Sequence, residues 1–151
     1  MVKKNIKKIV KKWCDEEGIF EDEKEEKLNE FLFTINYPIE SGDKLNLFQP
    51  LGSDKLIIMG GVQFDEKIIE KMRSLPSEEL DKLLWDLRFS LASRPTEFNL
   101  NRPDETIIEA FVTSTVIFPD GLTKDRFMTA ISEVYKSKLI GTWKIRAMVE
   151  Q

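Results

Sequence analysis

The sequence of 151 residues contains no histidine and only one cysteine, Cys14. Without histidine the chain has no Ser-His-Asp or Cys-His nucleophile system, no imidazole metal ligand and no imidazole general base. A single cysteine forms no intrachain disulfide, and it excludes a cysteine-based zinc site within one chain. An enzyme of this composition would have to use carboxylates, lysine, tyrosine or metal-bound water. Such cysteine usage suits a reducing compartment, so we expect a cytoplasmic protein.

Long apolar runs and nucleotide-binding motifs are also missing. No run approaches the roughly 18 residues of a membrane-spanning helix. The N-terminus interleaves lysine with apolar residues and lacks the continuous apolar core of a secretion signal. There is no P-loop, Gly-x-Gly-x-x-Gly, His-Glu-x-x-His, Cys-x-x-Cys or EF-hand pattern. We therefore assign no catalytic residue, and we expect no cofactor and no metal site.

The chain does contain enough apolar residues for a core. Its hydrophobic content is 41%, and 27 acidic residues against 23 basic ones give a net charge of -4. The length corresponds to about one domain, so residues 1–151 are predicted to form a single α+β domain. The negative balance argues against a general nucleic-acid binder. The abundance of lysine and glutamate suits a thermophilic source.

The pattern of apolar residues predicts the element order α-βββ-αα-ββ-α. Short connections between the first three strands indicate antiparallel pairing. Asp65 is a suitable N-cap for the first central helix, and Ser77 is a suitable cap for the second, which runs to about Ala92. We expect an antiparallel five-stranded sheet with the helices packed mainly on one face. Its strands are predicted over 31–37, 45–49, 56–64, 96–101 and 106–118.

The segment 106–118 reads as one strand of roughly 40 Å, followed by a tight turn at 119–121 and a long returning helix. Its even-numbered side chains suit a helix-covered core: Ile108, Ala110, Val112, Val116 and Phe118. Its odd-numbered face is mixed: Ile107, Phe111 and Ile117 alternate with Glu109, Thr113 and Thr115. We therefore predict that the even face is buried and that the odd face is a candidate contact surface.

Two helices carry more apolar surface than one face of a sheet buries. In the helix that ends near Ala92, five leucines form one stripe, and Trp85 and Phe89 lie almost opposite. The last helix also has a second stripe. These stripes meet the rest of the chain, a second subunit or another protein. The candidate protein interface is Trp85, Phe89, Phe111, Tyr135, Leu139 and Trp143.

Residues 2–13 form an amphipathic helix in which lysines surround an apolar face. Lysines four residues apart repel each other by about 0.2–0.5 kcal/mol per pair. The face is either solvated and partly neutralised by the acidic run 21–26, or it contacts a membrane surface or nucleic-acid phosphates. The absence of arginine and of interleaved aromatic residues argues against nucleic acid. The candidate anion contacts are Lys4, Lys8 and Lys11.

The order helix, three strands, two helices, two strands, helix resembles that of type III secretion chaperones and YbjN-like proteins. The whole chain resembles an uncharacterised archaeal family with that fold. The resemblance rests on element order and composition over nearly all residues, and it carries no functional residue across. It implies a non-enzymatic dimer whose members bind another protein through sheet and helix surfaces.

We therefore expect a non-enzymatic protein-binding module with a chaperone-like role, acting as a homodimer through apolar helix and sheet surface. Two alternatives remain. A carboxylate-based enzyme would need an apolar-walled pocket with converging Asp or Glu side chains. A peripheral binder of anions or membrane surfaces would use the N-terminal lysine helix.

Overall fold

The structure is a computed structural model that describes residues 5–39, 42–104 and 106–150. Within these ranges the chain forms four α-helices, six β-strands and a short 3-10 helix at Pro119–Gly121. The helices are α1 (Ile6–Glu16), α2 (Glu66–Ser74), α3 (Ser77–Ala92) and α4 (Lys124–Val149). The strands are β1 (Phe20–Lys24), β2 (Asn29–Asn36), β3 (Lys44–Pro50), β4 (Leu56–Gln63), β5 (Glu97–Asn101) and β6 (Ala110–Ile117). No helix in the described ranges combines the length and apolarity needed to cross a bilayer.

The strands form one antiparallel sheet in the order β1-β2-β3-β4-β6-β5. The α+β class is confirmed, but the predicted five-stranded sheet is wrong, because the acidic segment forms a sixth strand, β1. The element order is therefore α-ββββ-αα-ββ-α. β1 lies at the sheet edge, where Glu23 is opposite Phe33 and Lys24 is opposite Leu32. Edge strands carry charged side chains that discourage pairing with other chains, so β1 lacks the apolar alternation that identifies a strand.

The starts of two elements also differ from the predictions. β6 begins at Ala110, because Ile107 and Ile108 are both buried and two consecutive inward side chains break the alternation of a strand. The Asp65 carboxylate accepts a hydrogen bond from the Ile68 amide at 2.9 Å, which confirms the predicted cap of α2. The predicted cap at Ser77 is wrong, because Ser77 is the first residue of α3 and the cap position is Pro76.

The chain divides into two compact units. Unit 1 comprises Met1–Gly60 and Thr115–Tyr135, and unit 2 comprises Gly61–Ser114 and Lys136–Gln151. By these ranges, β4, β6 and α4 contribute residues to both units. Each unit has its own cluster of buried apolar side chains.

Unit 1 buries one face of β2, β3 and β4 together with α1 and the first turns of α4. Trp13 of α1 packs on Phe127 of α4, with 5.4 Å between the ring centroids. This contact joins the first helix to the last one within a single core. The core of unit 1 is Ile6, Val10, Cys14, Ile19, Phe31, Phe33, Ile35, Leu45, Leu47, Leu56, Ile58, Ile117, Leu122, Phe127, Ala130, Ile131 and Val134.

Unit 2 buries the leucine stripe of α3 with α2 and the end of α4. The stripe is the one that helical periodicity predicts, because residues three and four apart fall on one face. Phe64 and Phe111 pack at 5.9 Å between ring centroids. The core of unit 2 is Phe64, Ile68, Met72, Leu80, Leu83, Leu84, Leu87, Leu91, Ile107, Ile108, Phe111, Ile145 and Val149.

The two faces of β6 are reversed relative to the prediction. Phe111, Thr113, Thr115 and Ile117 are the buried residues, so the odd face is the inner one. On the even face, Val116 is 37% exposed. The predicted even-face core is therefore wrong for the strand itself. A threonine on the odd-numbered face can be buried as readily as a valine of similar size when its hydroxyl is hydrogen-bonded. The apolar content of the two faces alone therefore does not identify the inner one.

Gly141 explains how Phe111 fits beneath α4. A Cβ atom added to Gly141 would lie 2.7 Å from Cε2 of the Phe111 ring, and it would also clash with Cζ. Real Cβ atoms essentially never approach a ring atom so closely. Glycine costs a helix interior about 1 kcal/mol relative to alanine. The close approach of the Phe111 ring is the physical reason why position 141 carries glycine.

We predict that Gly141→Ala lowers the free energy of unfolding by about 1–3 kcal/mol, despite the higher helix propensity of alanine. The physical cause is the overlap with Phe111, so Phe111→Leu is the matched background. In the Phe111→Leu background, Gly141→Ala should lower the free energy of unfolding by a clearly smaller amount. Urea denaturation of the four proteins measures this coupling. Equal or higher stability of Gly141→Ala in the wild-type background would contradict the assignment.

Cys14 lies in the core of unit 1, and its side chain is fully buried. Burial, and to a lesser extent the Asp15 carboxylate, raise the pKa of the thiol to about 12, whereas Lys11 acts in the opposite direction. The neutral thiol is therefore the native form across the physiological range, and Cys14 is inert rather than nucleophilic.

The raised pKa makes stability depend on pH. Above about pH 9 the unfolded chain loses the Cys14 proton, whereas the native chain keeps it up to about pH 12. Stability from this group is thus lost as pH rises, by about 1.4 kcal/mol per pH unit within that window. Chemical denaturation of wild type and Cys14→Ala at pH 8 and pH 10 should show a steeper loss for wild type. Parallel losses would show that the native thiol ionises normally.

Candidate protein-binding site

The outer side of α3 presents two aromatic rings to solvent. Trp85 is 49% exposed and Phe89 is 68% exposed, and their ring centroids are 5.8 Å apart. The Arg88 guanidinium lies 4.7 Å from the centre of the Trp85 ring. The leucine face of the same helix is buried, so the two rings project on the opposite side. Large, neighbouring aromatic groups with a stacked arginine are typical anchors of protein interfaces.

A third aromatic group belongs to the neighbouring helix of unit 2. Trp143 of α4 is 61% exposed. The residue after it, Lys144, bonds the Asp86 carboxylate at 2.8 Å, and Asp86 follows Trp85 in α3. This ion pair connects the two helices at the positions adjacent to the two tryptophans. The exposed rings of α3 and α4 therefore belong to one region of unit 2.

β5 provides backbone groups beside α3. It is the last strand of the sheet, and α3 contacts it. Its side chains alternate between exposed polar residues, centred on Asn99, and the half-buried Phe98 and Leu100. On its outer side β5 pairs with no strand of the described ranges. We define the α3–β5 surface as Trp85, Phe89, Trp143 and this free edge.

A buried polar group fixes the start of β5. Ser137 of α4 is fully buried, and its hydroxyl accepts a hydrogen bond from Nε of Arg94 at 3.2 Å. The hydroxyl groups of Ser137 and Thr96 are 2.8 Å apart. Arg94 and Thr96 immediately precede β5, so these bonds hold the edge strand against α4 within unit 2. No pattern in the sequence indicates this role of Arg94.

The remaining residues of the predicted interface lie elsewhere. Phe111 is 1% exposed, so its side chain belongs to the core of unit 2. Tyr135 is half-buried in unit 1, where its ring meets that of Tyr37 at a centroid distance of 5.6 Å. Leu139 is half-buried in α4. The structure thus leaves Trp85, Phe89 and Trp143 as the strongly exposed members of the predicted set.

Two of the four described lysines of α1, Lys7 and Lys11, are paired with nearby acids. Lys7 pairs with Glu23 of β1 at 2.9 Å, so the acidic run does neutralise part of this face. Lys11 pairs with Asp15 at 2.6 Å and lies 4.1 Å from the centre of the Phe20 ring. Lys8 is exposed, and Lys4 lies outside the described residues. Of the two described candidate anion contacts, Lys11 therefore has an acidic partner, and Lys8 is exposed.

Two clefts are lined by residues other than the exposed aromatic groups. One, of about 450 Å³ in unit 1, is lined mainly by charged residues of β1 and the start of β2. The other, of about 430 Å³ in unit 2, is lined by Glu66, Glu70, Arg73 and Glu109 together with Ile69, Pro103 and Ile107. Neither is the apolar-walled pocket that the enzyme alternative requires. The described residues contain no cluster of acidic or cysteine side chains arranged to hold a metal ion.

Solved structures support the fold. An uncharacterised protein from Methanothermobacter thermautotrophicus is 30% identical, with a TM-score of 0.87 over 93% of this chain and 96% of that one. YbjN, described as a putative transcription regulator from E. coli, has a TM-score of 0.52 over 89% of this chain and 88% of that one. At 14% identity YbjN shows a shared fold alone. No protein of curated function matches the sequence.

The expected resemblance to an uncharacterised archaeal family with a YbjN-like fold is therefore confirmed. A family model described as an uncharacterised conserved protein matches residues 6–145, which is nearly the whole chain. The chain belongs to the DUF2299 family.

Proposed function

We propose that the protein is a non-enzymatic protein-binding module that acts as a homodimer through the α3–β5 surface. The observation that carries this proposal is the exposure of Trp85, Phe89 and Trp143 in one region of unit 2. Water contact with three large rings is unfavourable by about 25 cal/mol for each Å² of apolar area. A protein surface that covers the rings removes that cost.

The two sheet edges differ in their capacity to pair with a second copy. β1 carries Glu21, Asp22 and Glu23 in succession, so antiparallel pairing of two β1 strands would bring carboxylates together. β5 carries only one charge, at Glu97. In a symmetric antiparallel pair centred on Asn99, Glu97 of each copy would lie opposite Asn101 of the other. Such pairing places a carboxylate beside an amide donor and avoids a like-charge contact.

The same two-fold arrangement involves α3. The helix contacts β5, so joining two β5 strands brings two copies of α3 toward the common axis. A two-fold interface is self-complementary, and each exposed ring of one copy then faces the same region of the other. We expect Trp85 and Phe89 to be its energetic centre and Trp143 to lie further from the axis. The chaperone-like role would use apolar surface that this dimer leaves open.

We predict a dimer in solution, of twice 17.6 kDa, at tens of micromolar protein. Trp85→Ser/Phe89→Ser should weaken self-association by at least about a thousandfold, because two lost anchor rings at about 2 kcal/mol each cost about 4 kcal/mol. Analytical ultracentrifugation over a dilution series measures the dissociation constant. Circular dichroism checks that the variant remains folded.

Leu28→Ser/Leu51→Ser is the matched control, since both leucines are more than half exposed and lie in unit 1. It removes a comparable apolar area and should leave the dissociation constant unchanged. A monomeric wild type at about 50 micromolar, which is about tenfold above a dissociation constant of roughly 5 micromolar, would overturn the proposed dimer. An equal loss of self-association in the control would overturn the assigned surface.

A separate variant tests the strand edge. Asn99→Lys places two lysines opposite each other in the paired β5 strands, and it should weaken the dimer through like-charge repulsion. The residue is exposed in the single chain, so monomer stability should change little. Sedimentation at low and high salt should show that salt restores part of the association. A dimer insensitive to Asn99→Lys but lost in Trp85→Ser/Phe89→Ser would assign the interface to helices alone.

A further inference from the structure

The outer face of the sheet in unit 1 carries an apolar row that crosses the strands. Leu32 of β2 is opposite Phe48 of β3, and Phe48 is opposite Ile57 of β4. Their chain neighbours Phe33, Leu47 and Ile58 are buried in the core of unit 1. Because side chains alternate between faces, the row lies on the face away from that core.

The row continues onto the end of β6. Val116 is 37% exposed and Phe118, just after the strand, is 54% exposed. None of the five apolar residues of this row belongs to either core cluster. The helices α1 and α4 contribute their buried apolar side chains in unit 1 to the opposite face of the sheet. We define the outer row as Leu32, Phe48, Ile57, Val116 and Phe118.

A lysine stands at each end of the outer row. Lys24 of β1 is opposite Leu32, and the Lys55 ammonium lies 5.3 Å from the centre of the Phe118 ring. Neither lysine takes part in an ion pair with the residues that the structure describes. On the same face, Asp22 is opposite Thr34, one row further along the strands. The outer row is thus apolar along its length and has one lysine near each end, with Glu25, Glu26 and Glu30 lining the same cleft as Lys24.

The geometry of the outer row favours a helix over an extended peptide. Backbone groups of strands within the sheet are already paired, so the face offers side chains only. An extended segment laid on it would leave its own N–H and C=O groups without partners, whereas a helix satisfies them internally. From Lys24 of β1 to Val116 of β6 there are four interstrand spacings, which at about 4.8 Å each amount to roughly 19 Å. A helix of about thirteen residues has that length.

We propose that the outer row binds an amphipathic helix of a partner protein, with an apolar stripe of about thirteen residues and carboxylates at both ends. The carboxylates pair with Lys24 and Lys55, and the stripe covers the apolar side chains between them. Charge complementarity selects this occupant over a second copy of the chain, whose identical face would present lysines again. The site lies in unit 1 and does not depend on the α3–β5 homodimer.

The test uses two stapled, fluorescein-labelled peptides of about fifteen residues, a length that covers the row with one flanking residue at each end. Both have leucines along one stripe and alanine elsewhere. One peptide ends in glutamates on both sides, and the other ends in lysines. Fluorescence anisotropy with the full-length protein should show saturable binding of the glutamate peptide, with a dissociation constant on the order of 10 micromolar. The lysine peptide should bind at least about tenfold more weakly.

Two variants assign the binding to the outer row. Ile57→Thr/Val116→Thr keeps the β-branched shape that strands favour. It should raise the dissociation constant of the glutamate peptide about tenfold or more. Lys24→Glu/Lys55→Glu should reverse the preference, so that the lysine peptide becomes the tighter ligand. Trp85→Ser/Phe89→Ser is the control, and it should bind the glutamate peptide as wild type does whether or not the homodimer forms.

Three results would overturn the proposal. One is the absence of saturable binding of the glutamate peptide at protein concentrations up to about 1 mM, because a dissociation constant of that size is the weak end of specific recognition. Another is equal affinity for both peptides, because the lysines would then select nothing. The third is self-association of wild type that Ile57→Thr/Val116→Thr abolishes, because the outer row would then be covered by a second copy.

Discussion

The position of the Phe111 ring against Gly141 is the contact on which the rest of the structure depends. It turns the odd-numbered side chains of β6 toward the helices and leaves the even-numbered ones outside. In a strand this choice is binary, since a one-residue shift would exchange the two faces completely. An alanine at position 141 would oppose the observed choice through overlap with the ring. By the alternation along β6, the inward direction of Phe111 places Val116 on the outer face.

Each unit has one buried core and one apolar surface that the fold does not use. In unit 1 that surface is the outer row of the sheet. In unit 2 it is the set of exposed rings beside the edge strand β5. Monomeric proteins usually keep exposed apolar residues scattered, and contiguous groups mark interaction sites. Two such groups support the proposed role in protein binding.

Much of the fold followed from periodicity alone. The five leucines of α3 and the Asp65 cap of α2 were read correctly, because helical spacing and capping are local properties. β1 was missed because an edge strand with Glu21, Asp22 and Glu23 carries solvent-facing charge and no alternation. The inner face of β6 was reversed because both of its faces contain apolar residues. Only the packing of α4, a contact between residues distant in sequence, decides between them.

The candidate site was predictable in part for the same reason. Trp85 and Phe89 stand opposite a leucine stripe, and this local pattern identified them. Trp143 lies on the second stripe of the last helix and is exposed, whereas Phe111 is buried because the faces of β6 are the reverse of the predicted ones. The edge position of β5 depends on strand order, which no local pattern specifies. The sequence also gave no sign that Ser137 anchors the start of that strand.

The most direct test of the central proposal is cross-linking through a cysteine at the centre of β5. Cys14 is the only native cysteine and is buried, so Asn99→Cys adds the single accessible thiol. In a symmetric β5 pair the two Cα atoms would be about 4.5–5.5 Å apart, within disulfide range. The account predicts rapid formation of a covalent dimer under mild oxidation, with no cross-linking of the exposed control Asp54→Cys. Equally slow cross-linking of both variants would contradict a homodimer joined at β5.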